Sequence, residues 1–291
     1  SSHRKSGSII KGGSSMKKQK STSKLICTII VGLLAVMFAL PLVWMTLASF
    51  KKVSEVFSEN WLPTVWQWKN YVTVWTDEQV YLPRVFFNTL FIVVLGTGGQ
   101  LIVSSLAAYG FAKIDFKGRA AIFTLFLAAM MIPSQATIIP RYMLFYKIGL
   151  YNSLWALILP SWFSVTSIFL LRQFYMGLPN DLMDAAKVDG AGHLRIFAQI
   201  LMPLTKPAMI STLILSFITL WNDYLSALVF LSNKKLYTVS QAVRYWLFDN
   251  NNQNYNLTMT TATIFIIPVI ILFVFCQKYF VEGIATSGVK G

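Results

Sequence analysis

From Leu25 to Phe50 the chain runs 26 residues without a charged side chain. A helix rises about 1.5 Å per residue, so such a run outreaches the roughly 30 Å of hydrocarbon at the centre of a bilayer. Five further apolar segments, 85–112, 120–139, 153–171, 208–231 and 262–280, complete a set of six candidate spans. Composition decides between lipid and an ordinary buried core. Of 291 residues only 12% are charged and 55% are apolar, with a mean hydropathy of +0.58, whereas a soluble domain carries about 25% charged residues. A soluble enzyme, a disordered chain and a fibrous repeat are all disfavoured. The expected class is an all-α integral membrane protein with six transmembrane helices, because lipid offers the backbone no partner and each span must satisfy its own amides.

The net charge of +14 would point to nucleic acid in a soluble protein. Here the cations lie in tails and loops, and no nucleic-acid partner is expected. With both termini cytoplasmic, the inner segments from Lys17 onward hold 13 Lys and Arg and the outer segments 9. The short 113–119 loop, with Lys113, Lys117 and Arg119, gives the firmest indication of the inside. Trp61, Trp66, Trp68, Tyr71 and Trp75 crowd the first external loop, which suits a membrane interface or a docking surface. Cys27 and Cys276 lie in apolar stretches and read as small buried hydrophobes. His193 has no second ligand near it and His3 lies in the leader, so no metal site is expected.

Residues 1–15 read as an expression scar ahead of Met16. The run at 25–50 exceeds the about 7–15 residues of a signal-peptide core, so it is expected to stay as the first span. The chain then divides into 16–84 (tail, first span and external loop), 85–281 (a core of five spans) and 282–291 (a cytoplasmic tail). The fourth span is interrupted by Pro160 and carries Ser161, Ser164, Thr166 and Ser167, tolerable where freed backbone groups face protein or a wet cavity.

Between the fourth and fifth spans lies a cytoplasmic loop, 172–207, far longer than the about two to eight residues that join neighbouring helices of a bundle. Asn180 or Asp181 is placed to cap a short helix. Leu182, Ala185, Ala186 and Val188 form its small-residue stripe, and Asp189-Gly190-Ala191-Gly192 ends it. A second amphipathic stretch carries Leu194, Phe197, Ile200 and Leu201. On residues alone this is either a helix that another protein grips or one that rests on the lipid headgroups.

Asp184-Ala185-Ala186, Gly190, then Ile200, Met202 and Pro203 resemble the EAA signature of permease subunits of bacterial ABC importers. That pattern is EAA, three residues, Gly, nine residues and I-x-L-P, and its spacing is reproduced in full, with Asp184 in place of Glu and Met202 in place of Leu. Trp221-Asn222-Asp223-Tyr224 and the tail from Val281 to Gly291 resemble the carbohydrate-uptake branch, near the maltose-type second permease subunit. The resemblance implies a type I, MetI-like helical bundle in the bacterial inner membrane. It implies four kinds of partner besides the lipid bilayer: a second homologous permease, a dimer of ATP-binding subunits, an external solute-binding protein and a carbohydrate substrate. It makes the helix around 180–192 the coupling element, with Asp184, Ala185, Ala186, Asp189, Gly190 and Ala191 facing the ATPase. The tail residues Ser287, Gly288 and Lys290 would also contact that dimer, where the residues alone read as a disordered end.

No G-x-x-x-x-G-K-[ST] phosphate loop occurs, and Gly96-Thr97-Gly98-Gly99 lacks the lysine. This chain is therefore expected to hold no cofactor, with ATP and Mg bound by its partners, and to have no enzyme activity of its own. Asp223 is the only acid in a predicted span, where a charge costs about 2.5–3.5 kcal/mol on insertion scales. With Asn222 it either lines the substrate route or stabilises a helix contact. Gln100, Gln135 and Asn152 are further polar candidates, and Trp155, Trp162 and Tyr224 are rings that either stack on sugar or pack. The external loop 232–261, with its polar run Asp249–Asn254, reads as solvated, and the resemblance implies that it reaches into the docked binding protein. An ion- or proton-coupled transporter acting alone would need a chain of intramembrane acids, bases or histidines beyond Asp223. A membrane-embedded enzyme would need a nucleophile–base or metal-spaced cluster, and the sequence offers none.

Overall fold

The structure, a computed structural model, describes residues 12–248 and 253–288, with side chains between Lys24 and Gln277. No strand occurs among the described residues. The first helix, α1 (Gly12–Ser49), leads through a ledge holding α2 (Lys69–Thr76) to the long α3 (Leu82–Lys113). Pro83 starts α3, where its missing N–H costs nothing, and Lys113 closes it beside the terminal carbonyls. Gly118, at φ 84°, then turns the chain into α4 (Arg119–Ala129), followed by α5 (Ser134–Lys147). Next come α6 (Trp155–Ser161) and α7 (Val165–Met176), then the short α8 (Asp181–Val188) and α9 (His193–Ile196). A π-turn at Phe197–Leu201 runs into the single turn α10 (Met202–Leu204). The chain re-enters the bundle as α11 (Lys206–Trp221) and finishes with α12 (Tyr224–Phe230), α13 (Val239–Phe248) and α14 (Tyr255–Gly288).

Four stretches are long and apolar enough to cross a bilayer singly: Lys24–Ser49, Leu82–Lys113, Trp155–Met176 and Tyr255–Gln277. The count reaches six if each of two bent pairs is one span. The expected span at 120–139 is one of these pairs: α4 stops at Ala129, and α5 leaves it at 96° after Pro133. The α9–α10 arm meets α11 at 81°. The expected span at 208–231 breaks at Asn222–Asp223, where Asp223 caps α12 by accepting the Ser226 N–H at 3.0 Å. A third break, Trp162–Ser164, separates α6 from α7, and Ser164 Oγ caps α7 by accepting the Ser167 N–H. Each break frees backbone groups that lipid could not satisfy.

Three apolar cores hold the bundle around α3. One, at the end of α3 near Lys113, joins Tyr109 and Phe111 to Leu171, Tyr175, Ile196 and Leu201. A second, towards the start of α3, packs Val85 and Val93 on Trp221, Trp246 and Phe265, and a third gathers Ile92, Phe145, Ile158 and Phe230. Within the loop 232–261, α13 buries Val239, Ala242, Tyr245 and Trp246, so part of a segment read as solvated is packed. Asp249–Asn252 lie outside the described residues. At the other end α14 continues as helix to Gly288, so the backbone through Ser287 is helical where a flexible end was expected; no proline interrupts it after Pro268. Lys290 lies outside the described residues.

Candidate functional site

Helix α8 has the charge pattern that suits its dipole, Asp181 and Asp184 in its first turn and Lys187 in its last. Its end is a Schellman motif: Ala191 N–H donates to Ala186 O and Gly190 N–H to Lys187 O, both at 2.9 Å, with Gly190 at φ 77°. One face is fixed to the bundle. Met183 and Ala186 are buried in one core with Tyr109, Phe111 and Phe197. Lys113 Nζ donates to Leu178 O at 2.7 Å and to Asn180 Oδ1 at 2.8 Å, tying the start of the arm to the end of α3. Tyr109 OH meets His193 Nδ1 at 3.0 Å beyond the glycine turn.

The other face is open. Leu182, Ala185 and Val188 are exposed on α8, Val188 by 88%, and Leu194 beyond the turn by 74%. Asp184 and Asp189 flank them in solvent, and Asp184 pairs with Lys187 at 3.0 Å. The small-residue stripe expected along α8 is thus divided: Ala185 faces out, Ala186 faces in, and Ala191 is half-buried at the turn. An arm anchored on one side and aliphatic on the other can transmit a push without deforming.

The second feature is a cavity of about 440 Å³ on which the three chain breaks converge. Ser134 comes from the start of α5, Ser161 and Ser164 from the α6–α7 break, and Thr219 and Asp223 from the end of α11. Gln100 of α3 reaches it from behind, donating through Nε2 to Ser167 Oγ at 2.7 Å. Irregular backbone is tolerated at membrane depth where it lines such a space. The hydroxyls of Ser161, Ser164, Thr166 and Ser167, expected to face protein or a wet cavity, all line it.

Of the pathway candidates, Asp223 lies in the cavity wall. Asn222 is exposed and donates to Ile218 O at 2.8 Å, closing α11. Gln135 sits exposed in the first turn of α5, and Tyr224 is half-buried at the start of α12, both outside the wall. Asn152 is a turn residue at φ 58°; its Oδ1 accepts the N–H groups of Ser232 and Asn233 at 3.1 and 3.0 Å. Two of the rings considered for stacking make contacts within the bundle. Trp162 donates to Leu95 O at 3.0 Å against Gly99, and Trp155 meets Phe91 edge-on.

Among the wall residues that had not been singled out are Arg141 and Phe163. Arg141 follows Ser134 by seven residues, two helical turns, and so shares its face of α5. Pro133, within an apolar run, was the signal that a new helix starts there.

A sequence profile of the family described as "Binding-protein-dependent transport system inner membrane component" matches residues 100–286. The arabinooligosaccharides transport system permease protein of Bacillus subtilis (strain 168) is 34% identical, covering 94% of this chain and 98% of that protein. The melibiose/raffinose/stachyose import permease protein of the same organism is 30% identical over 95% and 100%. The trehalose/maltose transport system permease protein of Thermococcus litoralis is 30% identical over 89% and 94%. Among solved structures, a chain of a bacterial ABC transporter involved in the import of the acidic polysaccharide alginate superposes with a TM-score of 0.76. It is 24% identical and covers 90% of this chain and 98% of its own, a likeness of fold. The broken helices, the anchored α8–α10 arm and a profile match over most of the bundle lead to one assignment: this chain belongs to the family of inner membrane components of binding-protein-dependent transport systems.

Proposed function

We propose that this chain is the permease half of an ATP-driven importer for a sugar or oligosaccharide, without a catalytic site of its own. It pairs with a second permease, takes cargo from an external binding protein, and is driven by a separate dimer of ATP-binding subunits that holds ATP and Mg. Both termini lie in the cytoplasm. The observation that carries this reading is the arm at 180–204. Its Met183–Ala186 face is locked into the bundle while Leu182, Ala185, Val188 and Leu194 stand exposed beside it. Aliphatic side chains so placed gain by burial against a partner. Relatives named for arabinooligosaccharides, for melibiose, raffinose and stachyose, and for trehalose and maltose support the sugar class. Closure of the ATPase dimer moves the arm, and the bundle passes between inward- and outward-facing states.

The test uses the complex purified with its companion subunits in lipid nanodiscs. Gly190 holds φ 77°, and a β-branched side chain there costs about 1–3 kcal/mol. That strain unwinds the hook that orients α8. Gly190→Val is expected to insert and assemble normally yet lose the stimulation of ATP hydrolysis by sugar-loaded binding protein. Full stimulation in this variant refutes the coupling role.

A further inference from the structure

Arg141 and Asp223 are the charged side chains in the wall of the 440 Å³ cavity, and they come from different elements, α5 and the α11–α12 break. One residue joins them. Arg141 Nη2 donates to Ser226 Oγ at 3.3 Å, and the Ser226 N–H donates to Asp223 Oδ1 at 3.0 Å. The guanidinium lies 4.8 Å from the centroid of the Phe230 ring, which holds its plane. A structural lock would bring carboxylate and guanidinium together. The ion pairs within 4 Å among the described residues are instead Asp115–Arg119 and Asp184–Lys187, both elsewhere.

We infer that Arg141, Asp223 and Phe163 form a saccharide subsite on this chain, built for neutral sugar and not for uronate. The inference rests on the sugar-permease reading and deepens it. A guanidinium offers five N–H donors and a carboxylate about four acceptor positions; the bonds described above engage one donor and one carboxylate oxygen, and Arg141 Nε is buried without a partner. What is left for a ligand is the terminal guanidinium N–H groups and the carboxylate in one wall, a set of donors and acceptors that vicinal hydroxyls satisfy, since each hydroxyl both gives and takes a hydrogen bond. The remaining polar wall groups are hydroxyls and the Gln100 amide. Phe163, 54% exposed and in the same wall, adds an aromatic ring, set at 87° to Phe126, against which the C–H side of a sugar ring can pack. The charges cancel, so a uronate carboxylate would meet Asp223 as well as Arg141 and gain no net attraction.

The test is saturation-transfer NMR on the complete transporter in nanodiscs without its binding protein, titrated separately with raffinose, maltotriose, arabinotriose and trigalacturonate. At least one neutral trisaccharide is expected to receive saturation and trigalacturonate none. Asp223→Asn keeps the α12 cap, because asparagine caps as well as aspartate, and removes the charge. This variant and Arg141→Ala are each expected to raise the dissociation constant of the neutral sugar about ten-fold, the effect of losing a hydrogen bond to a charged group. Equal saturation of trigalacturonate overturns the neutral class. Unchanged affinity in both variants, or no transfer to any neutral trisaccharide, overturns the subsite. The sugar-permease reading is scored by a different readout: if ATP hydrolysis by the complete system responds to no sugar, that reading fails whatever the NMR shows.

Discussion

Gly99 shows how much one missing methyl decides. A Cβ on Gly99 would run into the indole of Trp162, and one on Gly96 would come 2.6 Å from Leu220 Cδ1 and 2.8 Å from Ser161 Oγ. These two glycines cut a notch in α3 where the α6–α7 break seats, so the cavity wall is set by close approach of backbones. Gly99→Ala is therefore expected to cost about 1–3 kcal/mol, the range for overpacking a filled site. The check is the thermal midpoint of the purified complex, with Gly98→Ala, which has open space at its Cβ, as the comparison that should leave it unmoved. In the sequence the same cluster was legible only as a glycine run lacking a phosphate-binding lysine. Its packing role depends on Trp162, more than sixty residues away, and spacing carries no sign of that partner. Asn152 was likewise visible as a polar residue at a loop edge. Its left-handed φ and its bonds to Ser232 and Asn233 were not.

At the scale of elements, apolar length was readable and direction was not. Hydropathy integrates over a window, so 120–139 and 208–231 each look like one rod even though Pro133 and Asn222–Asp223 end helices within them. The resulting bends create the cavity, and a hydropathy plot cannot express a bend. Helix α8 was legible for the opposite reason: its start and its glycine end are local chemistry, although Asn180 makes no side-chain cap bond and is held by Lys113 instead. Which alanine points outward depends on how α8 lies against Tyr109 and Phe197, a tertiary matter. The Asp184–Lys187 pair is exposed on both sides, 64% and 52%. A surface pair of this kind is worth about 0–1 kcal/mol, so Asp184→Asn should leave α8 folded, with amide exchange of 183–191 unchanged. If stimulated ATP hydrolysis falls in that variant, the carboxylate acts on the partner; if exchange rises with it, the effect is local unfolding.

Across the whole molecule the buried surface is distributed unevenly. From Leu25 to Val43 the side chains of α1 are exposed, and its docking is confined to the end. There Ser49 O accepts from Asn70 Nδ2 at 2.8 Å and from Thr260 Oγ1 at 3.0 Å. The core around α3, by contrast, is packed from both ends, with the α8–α10 arm an extension of one cluster. Ile196, Leu201 and Met209 share one core with Tyr109 and Leu171, so on the proposed function a displacement of the arm is expected to carry α7 and α11 with it. On that proposal, work done outside the chain enters at the arm and is spent at the cavity. The most direct measurement is photocrosslinking from a benzophenone side chain placed at Val188, the most exposed aliphatic residue of α8, in the intact membrane complex. The prediction is a crosslink to the ATP-binding subunit that changes in yield between nucleotide-free and ATP-bound states. Crosslinks to lipid alone in both states would contradict the account.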